Sequence, residues 1–186
     1  RQDRKDQPRV PITAKLVADM IQTAGFNRVV SLELHAGAIQ GFFNIPFDHL
    51  YAKRVFAEQL KEQHYDVIVS PDAGGVARVR SLAKSLNCRI AIIDKRREQA
   101  NESDVMHVIG DVREQRCLIY DDMCDTAGSL CKAAQALLDQ GAASVGGAIV
   151  HPVLSGPAHK RIGDSVLDEL FVSDTIPLSE FNPKIK

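Results

Sequence analysis

An α/β fold, a parallel sheet flanked by helices, is what this sequence predicts, on three observations. Short β-branched runs alternate with longer segments whose apolar residues recur at helical spacing, the rhythm of βα units stacking a parallel sheet between helices. The 186-residue chain is 45% hydrophobic and 25% charged, which supplies enough apolar side chains for a real core. Its glycine- and carboxylate-bearing clusters follow the apolar runs, where the carboxyl ends of parallel strands bind ligands.

Taken in order, residues 12–24 predict a helix: Leu16, Val17, Met20 and Ile21 share a face, Pro11 suits the first turn and Gly25 stops it. Residues 28–34 read as a strand ending at His35, and after Asn44-Ile45-Pro46 a helix is expected over 53–63. Residues 67–70 are a buried strand, 76–86 a helix and 89–93 a strand; 95–104 form a charged, mobile connector with almost no apolar content. Residues 117–120 make the next strand and 129–139 a helix stopped by Gly141; strands at 145–150 and 170–173 close the sheet.

Lys+Arg number 23 against 24 Asp+Glu, a formal charge of -1, so no global basic field draws this protein to nucleic acid or an acidic membrane. No apolar run reaches the roughly 20 residues of a membrane span, and no signal-type stretch follows the charged start; a cytoplasmic protein is expected. Cys88, Cys117, Cys124 and Cys131 lack the paired spacing of a zinc site and read as reduced thiols, with Cys88 and Cys117 buried in strands. The chain opens at Arg1 without a methionine, which reads as a piece of a longer protein.

The strand-end rule selects four segments: His35-Ala36-Gly37, Ser70-Pro71-Asp72-Ala73-Gly74-Gly75, Lys95-Arg96-Arg97, and Asp121-Asp122-Met123-Cys124-Asp125-Thr126-Ala127-Gly128-Ser129. In the last, an apolar strand runs into two carboxylates and then a small hydroxyl-rich turn opening a helix. Thr126, Ala127, Gly128 and Ser129 can present N–H groups and hydroxyls to a phosphate at the positive end of the helix dipole. Asp121 and Asp122 are at the right reach to accept hydrogen bonds from sugar hydroxyls or to hold Mg²⁺ through water. The bland alternative is that Asp125 caps the helix and the acidic pair decorates a strand end. For the other segments the alternatives are a structural histidine at His35, a plain Gly-Gly turn at residues 70–75, and a solvated charged face at residues 95–98.

The strand followed by residues 121–129 resembles the phosphoribosyl-binding loop of the type I phosphoribosyltransferase fold. Four further segments, in order, resemble signatures of the ribose-phosphate diphosphokinase (phosphoribosyl diphosphate synthetase) family. They are Arg1-Gln2-Asp3-Arg4-Lys5-Asp6, Leu34-His35-Ala36 with Ile39-Gln40-Gly41-Phe42-Phe43, Ser70 to Gly75, and Asp94-Lys95-Arg96-Arg97. The resemblance covers essentially the whole chain.

It implies a type I phosphoribosyltransferase-like fold and transfer of diphosphate from ATP to the anomeric hydroxyl of ribose 5-phosphate, with Mg²⁺ as cofactor. It implies that Arg1, Gln2 and His35 hold ATP, that His35 and Asp72 serve the metal, and that Lys95 and Arg97 are catalytic. Asp121, Asp122, Asp125, Thr126, Ala127, Gly128 and Ser129 would bind ribose 5-phosphate. Residues 1–35 would end a truncated N-terminal domain lacking its first half, residues 36–186 would form the phosphoribosyltransferase-like domain, and the full-length protein would be a homohexamer. Departures from the family pattern are Glu33 for aspartate, Ser129 for threonine, Cys124 for an aliphatic residue, and His151-Pro152 for His-Gly. Rival readings are a phosphoribosyltransferase, which would have no reason to keep Arg1-Gln2, and a non-catalytic synthetase-associated subunit.

Overall fold

The structure is a computed structural model that describes residues 2–5, 7–96 and 105–186, with 95, 96 and 105 described by backbone alone. Arg1 and Arg97 lie outside the described residues. The chain divides into two compact units, Arg1–Ala52 and Lys53–Lys186.

In the first unit, helix α1 (Thr13–Thr23) is followed by β1 (Val29–Leu32), a 3₁₀ helix (Gly37–Phe42) and β2 (Phe47–Leu50). β1 and β2 pair in parallel, Val29 opposite Phe47, as a sheet of their own. β2 was not expected from the sequence, where Asp48 and His49 break the apolar run. β1 is shorter than the predicted 28–34 because Glu33 turns to a left-handed φ of 47°.

The second unit holds a six-stranded sheet in the order β5-β4-β3-β6-β7-β8. Its elements are α2 (Lys53–Leu60), β3 (Val67–Ser70), α3 (Val76–Leu86), β4 (Arg89–Arg96), β5 (Val105–Ile109), β6 (Arg116–Cys124), α4 (Gly128–Asp139), β7 (Ser144–Pro152), α5 (Ala158–Asp164) and β8 (Leu170–Val172). All described pairings are parallel except β4 with β5. The sheet is thus mixed, and Lys95 belongs to a strand backbone, not to the connector predicted at 95–104.

Both faces of the sheet are covered, so its central strands are buried throughout, as parallel strands require. Alternation along β3 sends Val67 and Val69 to one side and Ile68 to the other, all 0% exposed. On one side Val67, Val69, Ile119 and Val145 join Leu130, Ala133, Ala134 and Leu137 of α4 and Ile162 of α5 in one apolar cluster. On the other, Tyr120 meets Phe56 of α2 edge-on, with ring centroids 5.6 Å apart. Cys117 is buried as expected; Cys88 is half-buried and follows α3 outside any strand, a correction to its expected place. No helix among the described residues is long and apolar enough to cross a membrane.

Candidate functional site

The site is built from the carboxyl ends of β3 and β6, neighbours in the sheet whose loops therefore emerge side by side. At the end of β3, Ser70 is fully buried and its hydroxyl donates to the Asp72 carbonyl at 2.6 Å. The Gly75 N–H then donates to Asp72 Oδ1 at 3.0 Å, closing the loop and fixing an otherwise exposed carboxylate. Gly75 has no substitute here: a Cβ would stand 2.7 Å from Ser70 Oγ, with Asp72 Oδ1 and Arg78 Nη1 each 3.8 Å away. The glycine therefore leaves a small space rimmed by a hydroxyl, a carboxylate and a guanidinium.

β6 runs further than the predicted 117–120 and carries Asp121 and Asp122 within the strand, where they are half-buried and buried respectively. Successive strand residues point to opposite faces, but here Asp121 Oδ1 bends back to accept the Asp122 N–H at 2.8 Å. Arg78 Nη1 thereby reaches both carboxylates, 3.4 Å from Asp121 Oδ1 and 3.2 Å from Asp122 Oδ1. Burial, followed by the neighbouring Asp122, pushes the Asp121 carboxyl up from 3.8 to about 7, outweighing the Arg78 charge.

Sequence reasoning missed Arg78. Its signal was its place as the third residue of α3, because helical side chains lean toward the N-terminus and this one leans toward the strand ends.

Beyond β6 the turn enters α4 with Ala127 in the left-handed region, φ 59° and ψ 2°, and no side-chain hydrogen bond caps the helix. The capping role considered for Asp125 is therefore not what the structure shows. Asp125 is exposed and its Oδ1 accepts from Ser155 Oγ, while the Ser155 N–H donates to the Asp125 carbonyl at 3.0 Å. The first-turn N–H groups of α4 have no intrahelical acceptor, and with left-handed Ala127 ahead of them they are suited to an anion. Arg161 Nη1 donates to the Thr126 carbonyl at 3.0 Å and braces the turn from α5. Thr126, Gly128 and Ser129 line a cavity of about 660 Å³ with Lys132 and Arg161.

The structure thus brings Asp121 and Asp122 onto Arg78, ties Asp72 to Gly75 at the start of the same helix, and sets residues 125–129 shortly after the carboxylate pair. In the first unit, Gln2 accepts from Ala14 N–H at 3.1 Å through its carbonyl and from Thr13 Oγ1 at 3.1 Å through its side chain, so it is tied to the start of α1. His35 is exposed in the loop after β1. Buried Glu33 holds that loop: its N–H donates to the Leu50 carbonyl at 2.8 Å and its Oε2 accepts the Ala52 N–H at 3.0 Å. The backbone of Lys95 lies in β4, while Arg97 and Arg1 fall outside the described residues.

The cysteines offer no nucleophile. Burial raises every thiol, Cys117 to about 11 and Cys124, beside the phosphate-type turn, to about 12. Among the described residues no group of three or more His, Cys, Asp and Glu side chains could cage a metal ion.

A family model described as the phosphoribosyl transferase domain matches residues 47–179, spanning both strand-end loops. The chain belongs to that family. A second model, the N-terminal domain of ribose phosphate pyrophosphokinase, matches residues 1–25 of this phosphoribosyl transferase domain protein. The chain is 58% identical to a ribose-phosphate pyrophosphokinase of Campylobacter jejuni, covering 100% of this chain and 61% of the relative. It is 54% identical to one of Burkholderia pseudomallei, covering 100% and 60%. It thus spans about six-tenths of the length of the curated relatives it matches.

Among solved structures, the phosphoribosylpyrophosphate synthetase of Mycobacterium smegmatis superposes with a TM-score of 0.93 at 38% identity, over 100% of this chain and 62% of that one. A purine phosphoribosyltransferase of Pyrococcus horikoshii shares the fold, with a TM-score of 0.52 at 20% identity over 84% of this chain and 100% of its own. The type I phosphoribosyltransferase-like fold implied by the 121–129 motif is therefore what the chain adopts.

Proposed function

We propose that the protein carrying this chain is a ribose-phosphate diphosphokinase, which moves the diphosphate of ATP onto the anomeric hydroxyl of ribose 5-phosphate and releases AMP. The observation that carries this reading is the uncapped start of α4, entered through left-handed Ala127 immediately after the Arg78-bound carboxylate pair. A phosphate on the N–H groups of residues 126–129 leaves the attached sugar within reach of Asp121 and Asp122, whose carboxyl oxygens accept hydrogen bonds from its hydroxyls. The loop at residues 70–75, beside it on β3, opens toward the transferring diphosphate.

The attack of the anomeric oxygen on the β-phosphorus breaks the bond to the α-phosphate oxygen, so the protein must align two substrates and neutralise charge. No protein nucleophile is needed, in keeping with thiols that burial keeps protonated. Arg1, Gln2 and His35 hold ATP. Lys95 and Arg97 stabilise charge on the transferring group.

Mg²⁺ fits the residues present. It takes oxygen ligands, and one or two carboxylates with substrate phosphates and water suffice, so an exposed, loop-fixed Asp72 serves without a cage of protein ligands. When bound it would supply charge neutralisation at the polyphosphate, and His35 would serve it as well. The protein works in the cytoplasm and assembles as a homohexamer, without nucleic acid or membrane partners.

The test is a substitution at Lys95. Lys95→Ala should lower kcat by about 10²- to 10³-fold with little change in either KM, the pattern for a charge met only in the transition state. An unchanged kcat removes Lys95 from the reaction.

A further inference from the structure

We propose that Arg78 is the positioning residue of the ribose site, holding Asp121 and Asp122 together as paired acceptors for the sugar hydroxyls. The inference rests on the proposed binding of ribose 5-phosphate at residues 121–129. Two adjacent strand residues would ordinarily send their carboxylates to opposite faces of the sheet. Here one nitrogen, Arg78 Nη1, meets an oxygen of each, at 3.4 and 3.2 Å, and the Asp121 carboxylate is turned back on the strand by the Asp122 N–H.

The guanidinium is itself well enclosed, its side chain 13% exposed and that of Asp122 only 4%, so these interactions are little screened by solvent. It extends from the first turn of α3, whose N-cap is Gly75 of the β3 loop. Arg78 therefore ties the diphosphate-type loop on β3 to the sugar-type carboxylates on β6. Both contacts run through one nitrogen at the far end of the guanidinium, and a lysine in its place keeps the charge as a compact, strongly hydrated point charge without the planar group that sets that nitrogen's position.

The prediction separates the two substrates. Arg78→Gln should raise the KM for ribose 5-phosphate about 10- to 100-fold while the KM for ATP changes by less than about 2-fold, the range found when a group orienting a direct ligand is lost. Arg78→Lys should restore only part of the loss, and it provides the test if Arg78→Gln does not fold. Equal rises in both KM values, or a drop in thermal stability with both KM values unchanged, would overturn the proposal. If the unsubstituted protein releases no AMP, the activity reading fails by itself. Calorimetric titration with ribose 5-phosphate then decides the role of Arg78: weaker binding by Arg78→Gln supports it, and equal binding overturns it.

Discussion

Ionising Asp121 is costly in the folded chain. Its carboxyl titrates near 7 because burial and the adjacent Asp122 both disfavour its charge, whereas in the unfolded chain it titrates near 3.8. The folded state therefore binds the extra proton between these values, and stability falls as pH rises through that window, the reverse of an aspartate whose ion pair outweighs its burial. Asp121→Asn removes this penalty. Its melting temperature should exceed that of the parent by a few degrees at pH 8 and lose that advantage at pH 4, measured by calorimetry without substrate. The same substitution should weaken ribose 5-phosphate binding, since the amide offers one acceptor oxygen in place of two.

At the scale of elements, the loop between β3 and α3 depends on the missing side chain of Gly75. Gly75→Ala drives a methyl against buried Ser70 Oγ, whose bond to the Asp72 carbonyl shapes the turn, so the loop must open. Activity should fall at least about 10-fold while the melting temperature moves only a few degrees, because the strain is confined to one loop. Most elements of the second unit were legible in the sequence because burial on both faces makes central strands continuous apolar runs and helices cleanly periodic. β5, an apolar edge strand, was also not expected from the sequence, while three other misses share a cause. β6 extends through Asp121 and Asp122, β2 contains Asp48 and His49, and β4 continues into Lys95 and Arg96. In each, backbone pairing persists where charged side chains interrupt the apolar pattern. The short α5 was missed because Pro157 directly before it and Gly163 in its last turn both read as turn signals. The phosphate-type turn was readable from residues 121–129, whereas Arg78 became visible only once the fold set α3 beside β6.

For the whole molecule, stability rests on a mixed sheet with a helical layer on each face of the second unit. Leu137, 0% exposed, sits in the cluster that joins α4 to the sheet. Leu137→Ala should cost about 2–5 kcal/mol, read as a lower denaturant midpoint with the slope unchanged, because α4 would keep its place around a residual cavity. The same layer fixes the start of α4 behind β6, so a milder Leu137→Met should leave catalysis intact. The central claim is that these strand-end loops serve diphosphate transfer to ribose 5-phosphate. The most direct test mixes the protein carrying this chain with ATP, Mg²⁺ and ribose 5-phosphate and follows the products by phosphorus resonance. AMP and 5-phosphoribosyl 1-diphosphate forming in equal amounts, only when ribose 5-phosphate is present, is the predicted result. No AMP, together with base-dependent release of diphosphate from added 5-phosphoribosyl 1-diphosphate, would contradict it and make the protein a phosphoribosyltransferase.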